Sequence, residues 1–172
     1  MVIFVIVIAT VVIVAYVLRT RALSARRSKV VAEQIPALTA LAESLDGEVI
    51  GPDGASPWSP KLQRAAHQPG ATLGFRRGPW HVRVTEASQV TDPVLSDSGQ
   101  IWFEHWIEVA TVLLPQRRIP LEFFTLYFED GFVHTECQGK IQPDELVFLV
   151  DMIVETLELM PGVEPRNPAT TA

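Results

Sequence analysis

Residues 101–114 read IWFEHWIEVATVLL, a long uninterrupted strand pattern. Alternate side chains of a strand point to opposite faces. Ile101, Phe103, His105, Ile107, Val109, Thr111 and Leu113 therefore share one face, and Trp102, Glu104, Trp106, Glu108, Ala110 and Val112 share the other. The first set suits a surface covered by other elements. The second alternates two indoles with two carboxylates, and it raises the functional question. Trp is enriched where proteins meet partners, and carboxylates beside indoles favour a basic peptide or a cationic ligand. Trp102, Glu104, Trp106 and Glu108 are accordingly the candidate binding surface. In the competing reading the loop at 51–60, which carries Trp58, folds over the indoles and buries them.

Working outward, Pro115 and Pro120 bracket a basic loop. Residues 121–128 and 132–138 then predict a hairpin about Glu129, Asp130 and Gly131. On the other side, two strand candidates flank Gly78 and Pro79, with Trp80, Val82 and Val84 alternating against His81, Arg83 and Thr85. A polar stretch at 87–100 separates them from the central strand. Residues 51–60 hold Gly51, Pro52, Gly54, Pro57 and Pro60, too many breakers for regular structure. Ser59 before Pro60 predicts a short helix reaching about His67, ended by Pro69 and Gly70.

Two longer helices complete the pattern. Val31, Ile35, Leu38, Ala42 and Leu45 recur at helical spacing, with Pro36 as a kink and Gly47 as a stop, after which residues 48–50 form a short strand. Near the other end, Pro143, Asp144 and Glu145 mark a helix start and Gly162 its stop; Leu146, Leu149, Ile153, Leu157 and Met160 form its apolar stripe. Glu155 and Glu158 lie near the carboxyl end, where the dipole disfavours negative charge; a solvated face is expected, with Arg117, Arg118 or a partner protein as the alternative source of a nearby cation. Helix, strands, helix in this order predicts an α+β domain over residues 30–162, an antiparallel sheet covered on one face by two helices, with residues 163–172 a disordered tail.

The first eighteen residues carry no charge, no Pro and no Gly. As a helix they extend about 27 Å, close to the hydrocarbon thickness of a bilayer. In lipid every backbone polar group must pair within the segment, so the Val- and Ile-rich run is expected to be helical, a single transmembrane segment over residues 1–18. Basic residues follow it at once: Arg19, Arg21, Arg26, Arg27 and Lys29, with Tyr16 at the boundary. These six are the expected membrane-interface residues, and the segment 19–29 is a basic juxtamembrane stretch. Basic residues next to a span are retained on the cytoplasmic side, so the expected location is the plasma membrane, amino terminus outside and domain in the cytoplasm.

Composition narrows the partners. From Val30 onward there are nine basic and twenty acidic residues, a formal balance of −11. A domain of that sign repels phosphate backbones, so nucleic acid is not an expected partner. Cys137 is the single cysteine, compatible with a reducing compartment. His67, His81, His105 and His134 lack the short fixed intervals of metal sites, and neither a nucleophile elbow nor a phosphate-binding glycine loop is present. No cofactor or metal is expected. The resulting functional expectation is a tethered protein-interaction or accessory module. A small-molecule or lipid-binding domain is one alternative. An enzyme is the other, and it would need His105 and His134 to converge with a carboxylate in a cleft.

Overall fold

The computed structural model describes residues 2–63, 68–90 and 101–168. Its first element is one continuous helix, α1 (Val2–Ser44), with Pro36 inside it. Among the described residues this helix is long and apolar enough to cross a membrane, and its apolar window makes no burying contact with the rest of the chain. The second half of the same helix behaves differently. Val31, Leu38, Leu41 and Ala42 are buried, spaced as one stripe of a helix that packs on a sheet.

That sheet is antiparallel and holds seven strands among the described residues: β1 (Glu48–Ile50), β2 (Gln68–Arg77), β3 (Trp80–Val90), β4 (Ile101–Ala110), β5 (Arg117–Pro120), β6 (Thr125–Glu129) and β7 (Phe132–Gln138). Their spatial order is β1-β2-β3-β4-β7-β6-β5. Two short turns set the register. Arg77 pairs with Trp80 across Gly78 and Pro79, and Gly78 takes φ +58°, the conformation that a two-residue hairpin asks of its first loop residue. Glu129 pairs with Phe132 across Asp130 and Gly131, the latter at φ +89°.

A helix α2 (Pro60–Gln63) lies between β1 and β2, and α3 (Pro143–Glu158) follows β7. Leu38, Leu41 and Ala42 of α1 and Leu146, Val150, Ile153 and Leu157 of α3 form one core with Leu73, Val84, Ile107, Val109 and Val133 of the sheet. Both long helices thus share a single apolar layer with one face of the sheet, the α+β arrangement expected. Polar links join the same surfaces. The Arg27 guanidinium donates to Ser88 Oγ at 2.5 Å, Gln68 Oε1 at 2.6 Å, Gln68 O at 2.8 Å and Pro69 O at 3.0 Å. Gln34 donates to the buried Glu86 carboxylate at 3.2 Å, which also accepts the Ile141 N–H at 3.1 Å.

Several boundaries differ from expectation, each for a tertiary reason. Pro69 and Gly70 do not end a helix; they lie in β2, where a register shift between Pro69 and Ala71 accommodates them. The helix predicted to reach His67 spans Pro60–Gln63, and residues 64–67 lie outside those described. β3 runs on to Val90 through part of the polar stretch, the remainder of which, 91–100, is also outside them. The central strand ends at Ala110 because the C-terminal segment takes over its pairing: Thr111 bridges Pro165, Val112 N donates to Glu164 O at 2.9 Å and Arg166 N to Ala110 O at 3.3 Å. Residues 163–168 are therefore ordered against the sheet, correcting the tail reading, while 169–172 lie outside the described residues. At the other boundary, Arg27 of the basic juxtamembrane stretch is bonded to β2 and β3.

One close approach fixes how α1 meets the sheet. An added Cβ on Gly47 would lie 2.5 Å from Gly74 O and 2.7 Å from Phe75 Cβ. Gly47→Ala is expected to lower stability by about 1–3 kcal/mol, because backbone must shift to admit the methyl. Urea unfolding of the full chain in detergent reads this as a lower midpoint. Gly51→Ala, where nothing lies within 4 Å, serves as the control and leaves the midpoint in place.

Candidate functional site

Directly opposite residues in antiparallel strands share a face, and the registers here line up a single row on the face away from the long helices. Glu48, Gly74, Arg83, Glu108, His134, Tyr127 and Arg118 face each other in turn across all seven strands. Acidic and basic groups alternate along its first half, and aromatic rings fill the second. Tyr127 and His134 stack with centroids 5.0 Å apart, while Arg118 and Lys61 sit over the Tyr127 ring at 5.5 and 5.1 Å.

The segment 55–63 lies across this row as a strap. Its backbone N–H groups at Trp58 and Ser59 donate to the two oxygens of Glu108 at 2.9 and 2.7 Å. The Ser59 hydroxyl donates to Glu129, and its oxygen accepts the Leu62 N–H at 3.4 Å as the cap of α2. Arg83 donates to Ser56 O at 3.0 Å and lies under the Trp58 ring at 4.6 Å. Trp58 stacks in turn on Phe132 at 5.6 Å. Beneath the strap, Leu62, Ala87 and Trp106 make a second, smaller apolar cluster.

This arrangement divides the candidate surface. Trp106 and Glu108 are fully buried, so the four-residue strip is not a continuous exposed surface; the strap covers its second half, held there by the bonds from the Trp58 and Ser59 N–H groups to Glu108. Trp102 lies beyond the strap and is 56% exposed. Glu104, between them, is half-buried. Trp102 borders an open groove of about 550 Å³ with Ile101, Phe103, Gln138 and Lys140, and Lys140 Nζ sits 4.8 Å over the Phe103 ring.

The histidines do not converge. His105 pairs with Cys137 and shares the face of Ile107, whereas His134 pairs with Glu108 on the opposite face. His105 Nδ1 meets Gly139 O at 3.1 Å, and burial lowers its pKa, so the neutral ring donates that bond. His134 is fully buried, its two nitrogens 3.8 Å from Glu129 and 3.9 Å from Glu136, too far for hydrogen bonds. Burial lowers its pKa against the pull of both carboxylates. Ser59 is bonded to Glu129 rather than to His134, so no nucleophile–base pair forms. No group of three or more His, Cys, Asp or Glu able to hold a metal lies among the described residues. Cys137 is half-buried with its thiol pushed up to about 11 by desolvation, which leaves it unreactive.

The acidic face of α3 is engaged at two points by residues other than Arg117 and Arg118. Arg77 makes a bidentate pair with Asp151 at 2.6 and 2.7 Å, and Trp80 Nε1 donates to Glu158 at 3.3 Å. Arg117 and Arg118 instead lie over the rings of Phe128 and Tyr127. Sequence reasoning singled out Glu108 but missed its partners, the Trp58 and Ser59 N–H groups and Arg83. The Ser59–Pro60 cap was visible as a helix start; that its free N–H groups would seek Glu108, 49 residues away, depends on the fold.

Glu108 gives the strap a pH signature. Desolvation raises its carboxyl to about 7 from an ordinary 4.5, although the Ser59 and Trp58 N–H bonds and Arg83 favour the charged form. An acid that holds its proton more tightly when folded adds stability below its unfolded value and loses it as pH rises through the folded one. Stability should therefore fall between about pH 4.5 and 7 by about 3 kcal/mol from this group. Glu108→Gln removes that decline. Urea midpoints of the two proteins measured across this range isolate the contribution, since His134 titrates in both. Identical slopes against pH would refute it.

Set beside known proteins, the chain offers no shortcut to function: no family model, no curated protein and no solved structure matches it.

Proposed function

We propose that the chain is a single-pass membrane protein whose α+β domain is held at the cytoplasmic face of the plasma membrane, amino terminus outside, as an interaction or accessory module for a protein partner. The observation that carries this reading is the continuity of α1. One helix, Val2–Ser44, is apolar and unburied along its first part and packed into the domain core along its last. A flexible tether would leave the domain free to rotate, whereas an unbroken helix with Arg27 locked to β2 and β3 transmits one orientation. Exposed Arg21, Arg26 and Lys29 lie between the two regions, where basic side chains hold a cytoplasmic end and attract anionic lipid at about 1 kcal/mol each. Arg27 is the exception among the expected interface residues, since its guanidinium is committed to the sheet. Arg19 and Tyr16 lie on the exposed part of the helix.

The test is topological. In a Cys137→Ser background, Glu122→Cys places a thiol at an exposed position. A membrane-impermeant maleimide is expected to label it only after cells are permeabilised, and the chain is expected to stay with membranes through alkaline carbonate. Labelling of intact cells would refute the orientation, and extraction by carbonate would refute the anchor.

A further inference from the structure

The contacts of α1 define which end of the sheet faces the apolar half of the helix. Arg27 bonds Ser88 and Gln68, Val31 lies against Gly70, and Gln34 reaches Glu86. Further along, Gly47 meets Gly74 and Phe75. The helix therefore runs alongside β2 in the same direction and against β3. Toward the amino terminus of α1 it points at the start of β2, the end of β3, the start of β4 and the end of β7. Trp102, Ile101, Gln138 and Lys140 occupy that end.

Distances follow from the two rises. Leu18 precedes Arg27 by nine residues, about 14 Å along the helix axis. Ser88 lies opposite Phe103 and Gln89 opposite Trp102, so Trp102 stands about 3 Å nearer the apolar segment than the level of Arg27. About 10 Å then separates its Cα from the end of the apolar run. The headgroup layer extends about 5–8 Å beyond the hydrocarbon, so the Trp102 Cα stands within a few Å of it.

Resting on the anchoring proposed above, we infer that the sheet end bearing Trp102 and Lys140 lies in the headgroup layer of the leaflet that α1 enters, with Trp102 an interfacial anchor and Lys140 a contact for lipid phosphate. The chemistry fits that occupant. Trp is an amphipathic ring suited to the boundary between lipid and water, and this one is 56% exposed at a position where a soluble surface would favour a smaller polar residue. Lys140 lines the same groove, half-buried, with its ammonium 4.8 Å over the Phe103 ring. The exposed basic residues of α1 lie toward the same end of the sheet, where Glu104 also lines the groove beside Lys140, in a domain otherwise of acidic balance.

Tryptophan quenching tests this in the full chain. The protein is reconstituted into vesicles of phosphatidylcholine and phosphatidylglycerol carrying a fraction of headgroup spin-labelled lipid, and flotation verifies insertion. Trp80 and Trp106 are buried, and Trp58 stacks on Phe132 at the far end of the sheet. The expected result is quenching that is mostly lost in Trp102→Phe, with near-UV circular dichroism still that of a folded domain. Floating protein without quenching, or with quenching that survives Trp102→Phe, overturns the inference while leaving the anchor intact, and assigns this rim to a protein partner. Protein that fails to float overturns the anchor and this inference together.

Discussion

The docking of the second half of α1 onto β2 and β3 is the constraint on which the rest depends. A 43-residue helix would be unremarkable as an anchor or as a core element alone. Here one helix passes from a segment with no buried residue among those described to one whose Val31, Leu38 and Ala42 are nearly inaccessible. Burial of side chains the size of Val31 and Leu38 stabilises by about 1.5–3 kcal/mol each. The four Arg27 bonds add direction to that adhesion, because a planar guanidinium satisfied on several edges tolerates little sliding or rotation. Removing the helix would expose the apolar face of β2 and strip the buried Glu86 of one of its donors.

On the opposite face the sheet is closed by polar chemistry rather than by a helix. The strap at 55–63 contributes little apolar area, chiefly Leu62 against Trp106 and Ala87. Its position is fixed by charge: Glu108 receives two backbone N–H groups, Glu129 the Ser59 hydroxyl, and Arg83 bridges the strap from below. A buried carboxylate is costly unless it is well bonded, and the raised pKa of Glu108 shows that its bonds only partly offset desolvation. The site is thus organised to hold a loop in place, with its histidine sealed away and its hydroxyl turned from the imidazole. This accounts for why residues with the right chemistry for catalysis, Ser59, His134, Glu108 and Glu129, do not make a reactive constellation.

The strap divides the Trp102–Glu108 strip into a buried and an exposed half. Its second half lies under the strap and belongs to the folded interior. Its first half projects past the strap at the end of the sheet toward which the apolar part of α1 runs. A linear sequence motif was cut in two by a loop arriving from elsewhere in the chain.

Local physics alone determined much of this protein. The uncharged run at 1–18 is long and apolar enough that a bilayer would hold it only as a helix, the alternation in 101–110 had to give a two-faced strand, and Gly78 and Gly131 marked the turns because few other residues adopt positive φ cheaply. The apolar spacings of the two long helices showed which sides would be buried, and their order with the strands implied an α+β fold. Only the tertiary structure decided what each face would meet. Which strands became neighbours set the row from Glu48 to Arg118, and that register brought Glu108 beneath Ser59 and His134 away from His105. The pairing of Val112 with Glu164 ordered a segment that composition alone described as a tail. These outcomes depend on contacts between residues distant in sequence, whose free energies are comparable with the local preferences they override, and no local pattern records which distant partner a side chain will find.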